Sequence, residues 1–357
     1  MREEHDVPLA GLTTMRVGGP AARLVTAETT DELVDAVREV DDADEPLLVL
    51  TGGSNVVIAD EGFPGTVVRV ATSGVTVESA DACGGVMVRV AAGEVWDDVV
   101  ARAVAEGWSG IEALSGIPGG AGATPVQNVG AYGQEVAQTI ASVRVFDRDE
   151  QRVRTFSNLD CAFTYRHSIL KAHPRFVVLD VLFQLLPTEL SQPVGYADLA
   201  RQLGVETGAR VPLAEAREAV LQQRRHRGMV LDPDDHDTWS CGSFFTNPIL
   251  SVPRFEALEA RAAQRLGADG PVPPRFADPD GNVKTSAAWL IDKAGFGKGH
   301  GLPGPAALST KHTLAVTNRG GAKAADIAAL AREVRDGVHE AFGVTLVNEP
   351  VFVGHTL

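Results

Sequence analysis

Residues 115–133 read SGIPGGAGATPVQNVGAYG, with six glycines and no charged side chain. Glycine costs backbone entropy and packs nothing, so this density marks turns or a close approach of the backbone to something else. The flanks indicate the fold that carries it. Upstream, AARLVTA (21–27), PLLVL (46–50), GTVVRV (65–70) and VMVRVAAG (86–93) are apolar and rich in β-branched residues, as strands are. TTDELVDAVREV (29–40) opens on Thr and Asp caps and repeats Leu33, Val34, Val37 and Val40 at helical spacing, and VWDDVVARAVAEG (95–107) reads as a helix ended by Gly107. Downstream, SVRVFDRD (142–149) and QRVRTF (151–156) predict a hairpin, NLDCAF (158–163) a short helix capped by Asn158, and RFVVLDVLFQL (175–185) a long strand. The glycine stretch thus interrupts a β/α region.

Beyond residue 190 the character changes. SQPVGYADLARQLG (191–204) is a polar loop leading into a short helix. PLAEAREAVLQQRRHRG (212–228) is a helix with Pro212 near its start and Arg224, Arg225 and Arg227 at its end. DPDDHD (232–237) is an acidic loop, and after CGSFFTNPIL (241–250) the chain runs rich in Pro and Gly through residue 282. It closes with SAAWLIDKAG (286–295), a helix over 322–343 and the strand-like VTLVNEPVFVG (344–354). A boundary is expected near residue 210, where strands give way to helices and loops.

A length of 357 residues favours two or three domains. The net charge of −15 argues against general nucleic-acid binding and requires a local basic patch for any anionic ligand. MREEHDVPLA lacks the basic start and apolar run of a signal peptide, and no apolar stretch approaches the roughly 20 residues that span a bilayer. Cys83, Cys161 and Cys241 are odd in number and far apart, with no Cys/His cluster. The expectation is a cytoplasmic protein without a disulfide framework, a metal site or a membrane partner.

Five places could carry chemistry. In LLVLTGGSNVVI (47–58), Gly52 and Gly53 expose backbone N–H groups to phosphate oxygens, with Ser54 and Asn55 as further donors; the alternative is a plain tight turn. In the glycine stretch, Gly119, Gly120 and Gly122 admit a planar or phosphorylated ligand, Ile117 and Pro118 give an apolar wall, and Thr124, Gln127, Asn128 and Tyr132 can read ring edges; the alternative is a structural crossover. FTYRHS (163–168) holds Arg166, which alone reads as a surface cation. WSCGSFFTNP (239–248) sets Ser243 after a glycine and before two anchoring aromatics, without the Gly-x-Ser-x-Gly pattern of a hydrolase elbow. NEPVFVG (348–354) places Glu349 ahead of an apolar strand.

Together and in this order these stretches, with LTTMRVGGPA (12–21), resemble the UDP-N-acetylenolpyruvoylglucosamine reductases of peptidoglycan synthesis over nearly the whole chain. The resemblance implies an α+β protein. Residues 1–210 would form a two-part FAD-binding domain of the vanillyl-alcohol-oxidase type, split near residue 70. Residues 211–357 would form a substrate-binding domain, its last strand a candidate to return to the FAD domain. It implies non-covalent FAD, held by Gly52, Gly53, Ser54 and Asn55 and by Gly116, Ile117, Pro118, Gly119, Gly122, Ala123, Thr124, Gln127, Asn128, Gly130 and Ala131. NADPH would be the co-substrate and the protein a monomer.

The implied reaction adds a hydride to C3 of the enolpyruvyl ether and a proton to C2. By motif match Ser243 donates the proton, while Arg166 and Glu349 hold and polarise the substrate carboxylate. A serine hydroxyl is a weak acid, so its geometry matters more than its acidity. Tyr196 matches a loop of one subclass, where it closes over the UDP group; Tyr132, Arg224 and Asn247 are expected on the same nucleotide. Two features depart from the family: DPDDHDTW (232–239) replaces a lysine-bearing loop, and Val351 stands where some members have arginine. Lys293 is a candidate to fill one gap. An FAD oxidase of the same fold and a non-catalytic UDP-sugar binder are the rival readings.

Overall fold

A computed structural model describes residues 1–81, 84–171 and 174–357; Cys83 lies outside them. The chain forms two compact units. The first comprises Met1–Val7, Pro20–Gly53 and Phe63–Val230, and the second Pro8–Gly19, Ser54–Gly62 and Leu231–Leu357. The boundary expected near residue 210 falls inside the first unit.

In chain order the first elements are β1 (Arg2–Pro8), β2 (Pro20–Ala27), α1 (Thr30–Asp42), β3 (Leu47–Leu50), β4 (Val56–Ile58), β5 (Phe63–Val70), β6 (Val75–Asp81), β7 (Gly85–Ala91) and α2 (Trp96–Ala105). The first unit holds two sheets. One has the order β1-β2-β5-β3, with β5 parallel to both β2 and β3. Thr29 caps α1 by accepting from the Glu32 N–H, and Leu33, Val34, Val37 and Val40 are buried as their spacing predicts.

The other sheet is antiparallel, in the order Arg152–Ser157, Ile140–Asp147, Phe176–Pro187, β7, β6. Its central strand is buried along most of its length and carries Asp180, which accepts from Arg89 at 2.6 Å and Arg144 at 2.6 Å on the neighbouring strands. A smaller cluster joins α3 (Ala197–Leu203) to α4 (Leu213–His226) through Leu199, Ala200, Ala216 and Val220. This packing keeps residues beyond 210 in the first unit.

The second unit is built on α5 (Val252–Leu266), α6 (Ala287–Ala294) and α7 (Ala324–Phe342) around Phe244, Phe255, Leu290, Ile327 and Val334. Two early segments belong to it for specific reasons. Met15 and Val17 are buried in its core, and Asn318 donates to the carbonyls of Met15 and Arg16. β4 pairs in parallel with the last strand, Val351–Val353, and the Asp60 carboxylate accepts from the Ala324 and Ala325 N–H groups at the start of α7. A carboxylate there satisfies orphan donors and meets the positive end of the helix dipole.

Two local expectations are corrected. NLDCAF is a set of turns, because Asp160 accepts from the Ser157 backbone and hydroxyl and Ala162 takes a left-handed φ of 46°. The segment after CGSFFTNPIL contains α5, started by Pro253 in its first turn and anchored by Phe255, Leu258 and Ala262.

Candidate active site

The glycine stretch is a chain of tight turns, entered from a 3-10 turn at Glu112–Leu114 and containing another at Ala121–Ala123. Several of its glycines are required by the protein itself. A Cβ on Gly122 would lie 2.4 Å from the Ala92 Cβ, one on Gly120 2.9 Å from the Ala92 carbonyl, and one on Gly52 2.7 Å from the Gly119 Cα. The two glycine-rich loops are therefore in backbone contact. The N–H groups of Gly116, Gly122, Ala123 and Thr124 bond to Asp97, Ala92, Gly120 and Ala121. What these positions can present to a ring is van der Waals surface, not free N–H groups.

Two side chains expected to read ring edges are occupied by the loop. The Thr124 hydroxyl donates to the Ala121 carbonyl at 2.8 Å. Asn128, 1 % exposed with φ 49°, donates to Glu135 and to the Thr164 carbonyl and accepts from the Ala137 N–H. Both organise the loop. Ile117 packs on the core of the unit, and Gly53 takes a left-handed φ of 56°.

Arg166 is held against this loop. Its guanidinium donates to the Gly130 carbonyl at 2.7 Å and the Asn128 carbonyl at 3.4 Å, and it lies 5.1 Å over the Tyr165 ring. A Cβ on Gly130 would sit 3.0 Å from it. Gly130–Ala131 pairs with Gln134–Glu135, and Tyr132 and Gly133 form the connection with φ of 50° and 89°. Two positive φ values define the primed hairpin turn, so Tyr132 is held where an L-residue is disfavoured.

Three expected substrate residues meet here. Tyr132 contacts Tyr196 edge-on at 5.8 Å. Burial raises the Tyr132 phenol above its ordinary value, with the Arg224 and Arg227 charges pulling it back. Burial brings Arg224 down to about 10; it donates to the Met229 carbonyl, and its Nε is buried with no hydrogen-bond partner among the described residues. Tyr196 is 49 % exposed at the start of α3.

In the second unit, the serine segment is pinned by chain pairing. Phe244 N–H donates to Leu314, Glu349 N–H to Phe244 and Thr246 N–H to Val347, so residues 244–246 run beside 347–349. This sets Ser243 and Glu349 on neighbouring segments. Asn55 joins them, donating from its side chain to the Glu349 carbonyl at 3.2 Å and accepting the Val351 N–H. Gly242 takes φ 71°, and Phe244 and Phe245 are buried after it, their rings in edge contact at 5.3 Å. The Ser243 hydroxyl has no hydrogen-bond partner among the described residues. Burial raises the Cys241 thiol to about 12, and Glu349 adds to the rise.

The outer candidates are more ordinary. Asn247 accepts the Ala287 N–H at the start of α6, a capping role, and Lys293 pairs with Asp292 at 2.8 Å. Glu112 and Gln134 escaped notice in the sequence; the signal was a charge inside the apolar run GIEALSG (110–116).

Comparison with known proteins agrees with this division. Residues 21–155 match the FAD binding domain family, and residues 232–353 match the C-terminal domain of UDP-N-acetylenolpyruvoylglucosamine reductase. The second match starts beside Leu231, where the second unit resumes. The chain therefore joins an FAD-binding domain to a reductase domain in one α+β protein. The UDP-N-acetylenolpyruvoylglucosamine reductase of Streptomyces avermitilis is 60 % identical over 99 % of this chain and 96 % of its own length. Those of Thermobifida fusca and Mycobacterium tuberculosis are 58 % and 52 % identical, over 98 % and 94 % of their lengths and 99 % and 98 % of this chain. A crystal structure of the Thermus caldophilus reductase superposes with a TM-score of 0.65 at 27 % identity, over 99 % of both chains. The chain belongs to the UDP-N-acetylenolpyruvoylglucosamine reductase family, the one its ordered motifs resemble.

Proposed function

We propose that this protein reduces the enolpyruvyl ether of UDP-N-acetylglucosamine to UDP-N-acetylmuramate in peptidoglycan synthesis, with NADPH as electron source and non-covalent FAD. It would act as a cytoplasmic monomer; no helix among the described residues is long and apolar enough to cross a membrane. The observation that carries the reading is the pairing that sets Ser243 beside the Glu349 segment, in a chain of this family.

The residues present suit a flavin. The glycine stretch is neutral and offers side-chain-free surface, and neither glycine-rich loop holds a His or Cys to attach the ring. In this reading Gly52, Gly53, Ser54 and Asn55 would hold the FAD diphosphate, and the residues named between Gly116 and Ala131 would hold its ring system. FAD, when bound by these residues, would supply hydride-transfer chemistry between NADPH and the substrate. Ser243, between Gly242 and the buried Phe244, would supply the proton to C2. Arg166, anchored on the Gly130 carbonyl, and Glu349 fix the substrate carboxylate. Tyr132, Tyr196 and Arg224 hold the UDP group.

An anaerobic absorption spectrum tests this. A flavin band that bleaches with NADPH and returns only on adding the enolpyruvyl UDP-sugar is expected. Rapid peroxide formation from NADPH in air, indifferent to the UDP-sugar, would support an oxidase. A colourless protein that stays apo with added FAD would refute the reading.

A further inference from the structure

Glu112 is 2 % exposed and has no cationic partner among the described residues. Removing a carboxylate from water without a counter-charge costs several kcal/mol unless hydrogen bonds replace the lost hydration. Three donors converge on it. Its Oε2 accepts the Gly110 N–H at 2.7 Å, and its Oε1 accepts the Gln134 amide at 2.9 Å and the Gln192 N–H at 2.6 Å. Gln134 accepts the Ala113 N–H in return, and Gln192 donates to the Ser109 hydroxyl.

These donors belong to three separate segments. Gly110 opens the approach to the glycine stretch. Gln134 follows the Tyr132–Gly133 turn directly, and its pairing with Ala131 closes that turn. Gln192 begins the loop that ends at Tyr196. Only an acceptor-only group meets all three; an amide would turn a donor toward a donor at one of them.

We infer that Glu112 is a positioning residue: it holds the Tyr132 turn and the Tyr196 loop in register, so that the two rings keep their edge contact without Glu112 touching a ligand. The inference rests on the reading of these tyrosines as a clamp on the UDP group.

The test uses the FAD-loaded full chain. In Glu112→Gln the flavin content and spectrum stay as in the wild type, KM for the enolpyruvyl UDP-sugar rises about tenfold or more, and kcat changes less than about threefold. In a Tyr196→Ala background the same substitution shifts KM by less than about twofold, because both changes act on one contact. Loss of flavin, a fall in kcat at constant KM, or fully additive KM effects would each overturn the inference. A second arm needs no substrate: tryptic cleavage at Arg201 or Arg210 accelerates several-fold in Glu112→Gln, and an unchanged rate counts against any hold on the loop. That arm separates failure of this inference from failure of the proposed reaction. Should Glu112→Gln not yield soluble protein, Gln134→Met removes one of the three donors; a smaller KM rise in the same direction is expected, and an unchanged KM overturns the role.

Discussion

The glycine stretch and the serine segment, the two places proposed to carry the chemistry, are built in opposite ways. In residues 115–133 the backbone is the working surface: glycines let two loops touch, and Asn128 and Thr124 turn their side chains inward to hold the turns. In residues 241–249 the backbone is locked by pairing with 347–349 and by two buried phenylalanines, and one small hydroxyl is left over. The first region has no room for an added Cβ at Gly120 or Gly122. In the proposed reaction the second depends on that one oxygen.

The largest expected effect lies in the second region. Ser243→Ala should leave flavin reduction by NADPH unchanged and slow reoxidation by the UDP-sugar by about 10²- to 10⁴-fold, the range of a general acid. Anaerobic stopped-flow absorbance separates the two half-reactions. Unimpaired reoxidation would remove Ser243 from the mechanism and leave the comparison without its chemical half.

In the first region the expected effect is on stability. Gly122→Ala drives a methyl to 2.4 Å from Ala92 Cβ, inside a buried backbone contact. A loss of about 1–3 kcal/mol in urea unfolding, with reduced flavin content, is expected. Gly133→Ala is the control: φ is 89° but nothing lies within 4 Å of the new Cβ, so only conformational strain of about 1 kcal/mol applies. Equal losses at the two positions would mean that strain, not backbone contact, sets the glycine requirement.

Tyr196→Phe should act more weakly, raising KM for the UDP-sugar about two- to tenfold with little change in kcat, as one hydroxyl contact is lost. A fall in kcat at unchanged KM would contradict a clamp.

Legibility in the sequence followed the range of the interactions. α1 was visible because Thr29 and the Leu33–Val40 spacing are local, and the order of the motifs pointed to the right family. α5 was not visible, because the Pro and Gly after residue 266 obscured a helix whose own anchors are only Phe255, Leu258 and Ala262. The destinations of polar side chains were least legible. Asn128 reaches Thr164, Asn247 caps α6, Asn55 reaches Glu349, and Glu112 gathers donors from residues 110, 134 and 192. Apart from the Gly110 bond to Glu112, each is a pairing between distant residues that an Asn or Glu in a sequence does not announce.

The smallest effect compares two buried cysteines, one in the core of each unit. Burial raises Cys161, ahead of the Arg166 turn, to about 11, and Cys241, two residues before Ser243, to about 12. In the unfolded chain a thiol ionises from about pH 8.5 upward. Between that pH and the folded values the unfolded state has lost protons that the native state keeps, so stability falls as pH rises, by at most roughly 1.4 kcal/mol per pH unit for each thiol. Cys241→Ala should therefore flatten the decline in urea midpoint between pH 9 and the limit of about 12 set by the folded thiol, measured against the wild type. Cys161→Ala should flatten it over the narrower window that closes at about 11. Parallel declines in wild type and Cys241→Ala would show that water reaches that thiol, and with it the wall behind Ser243.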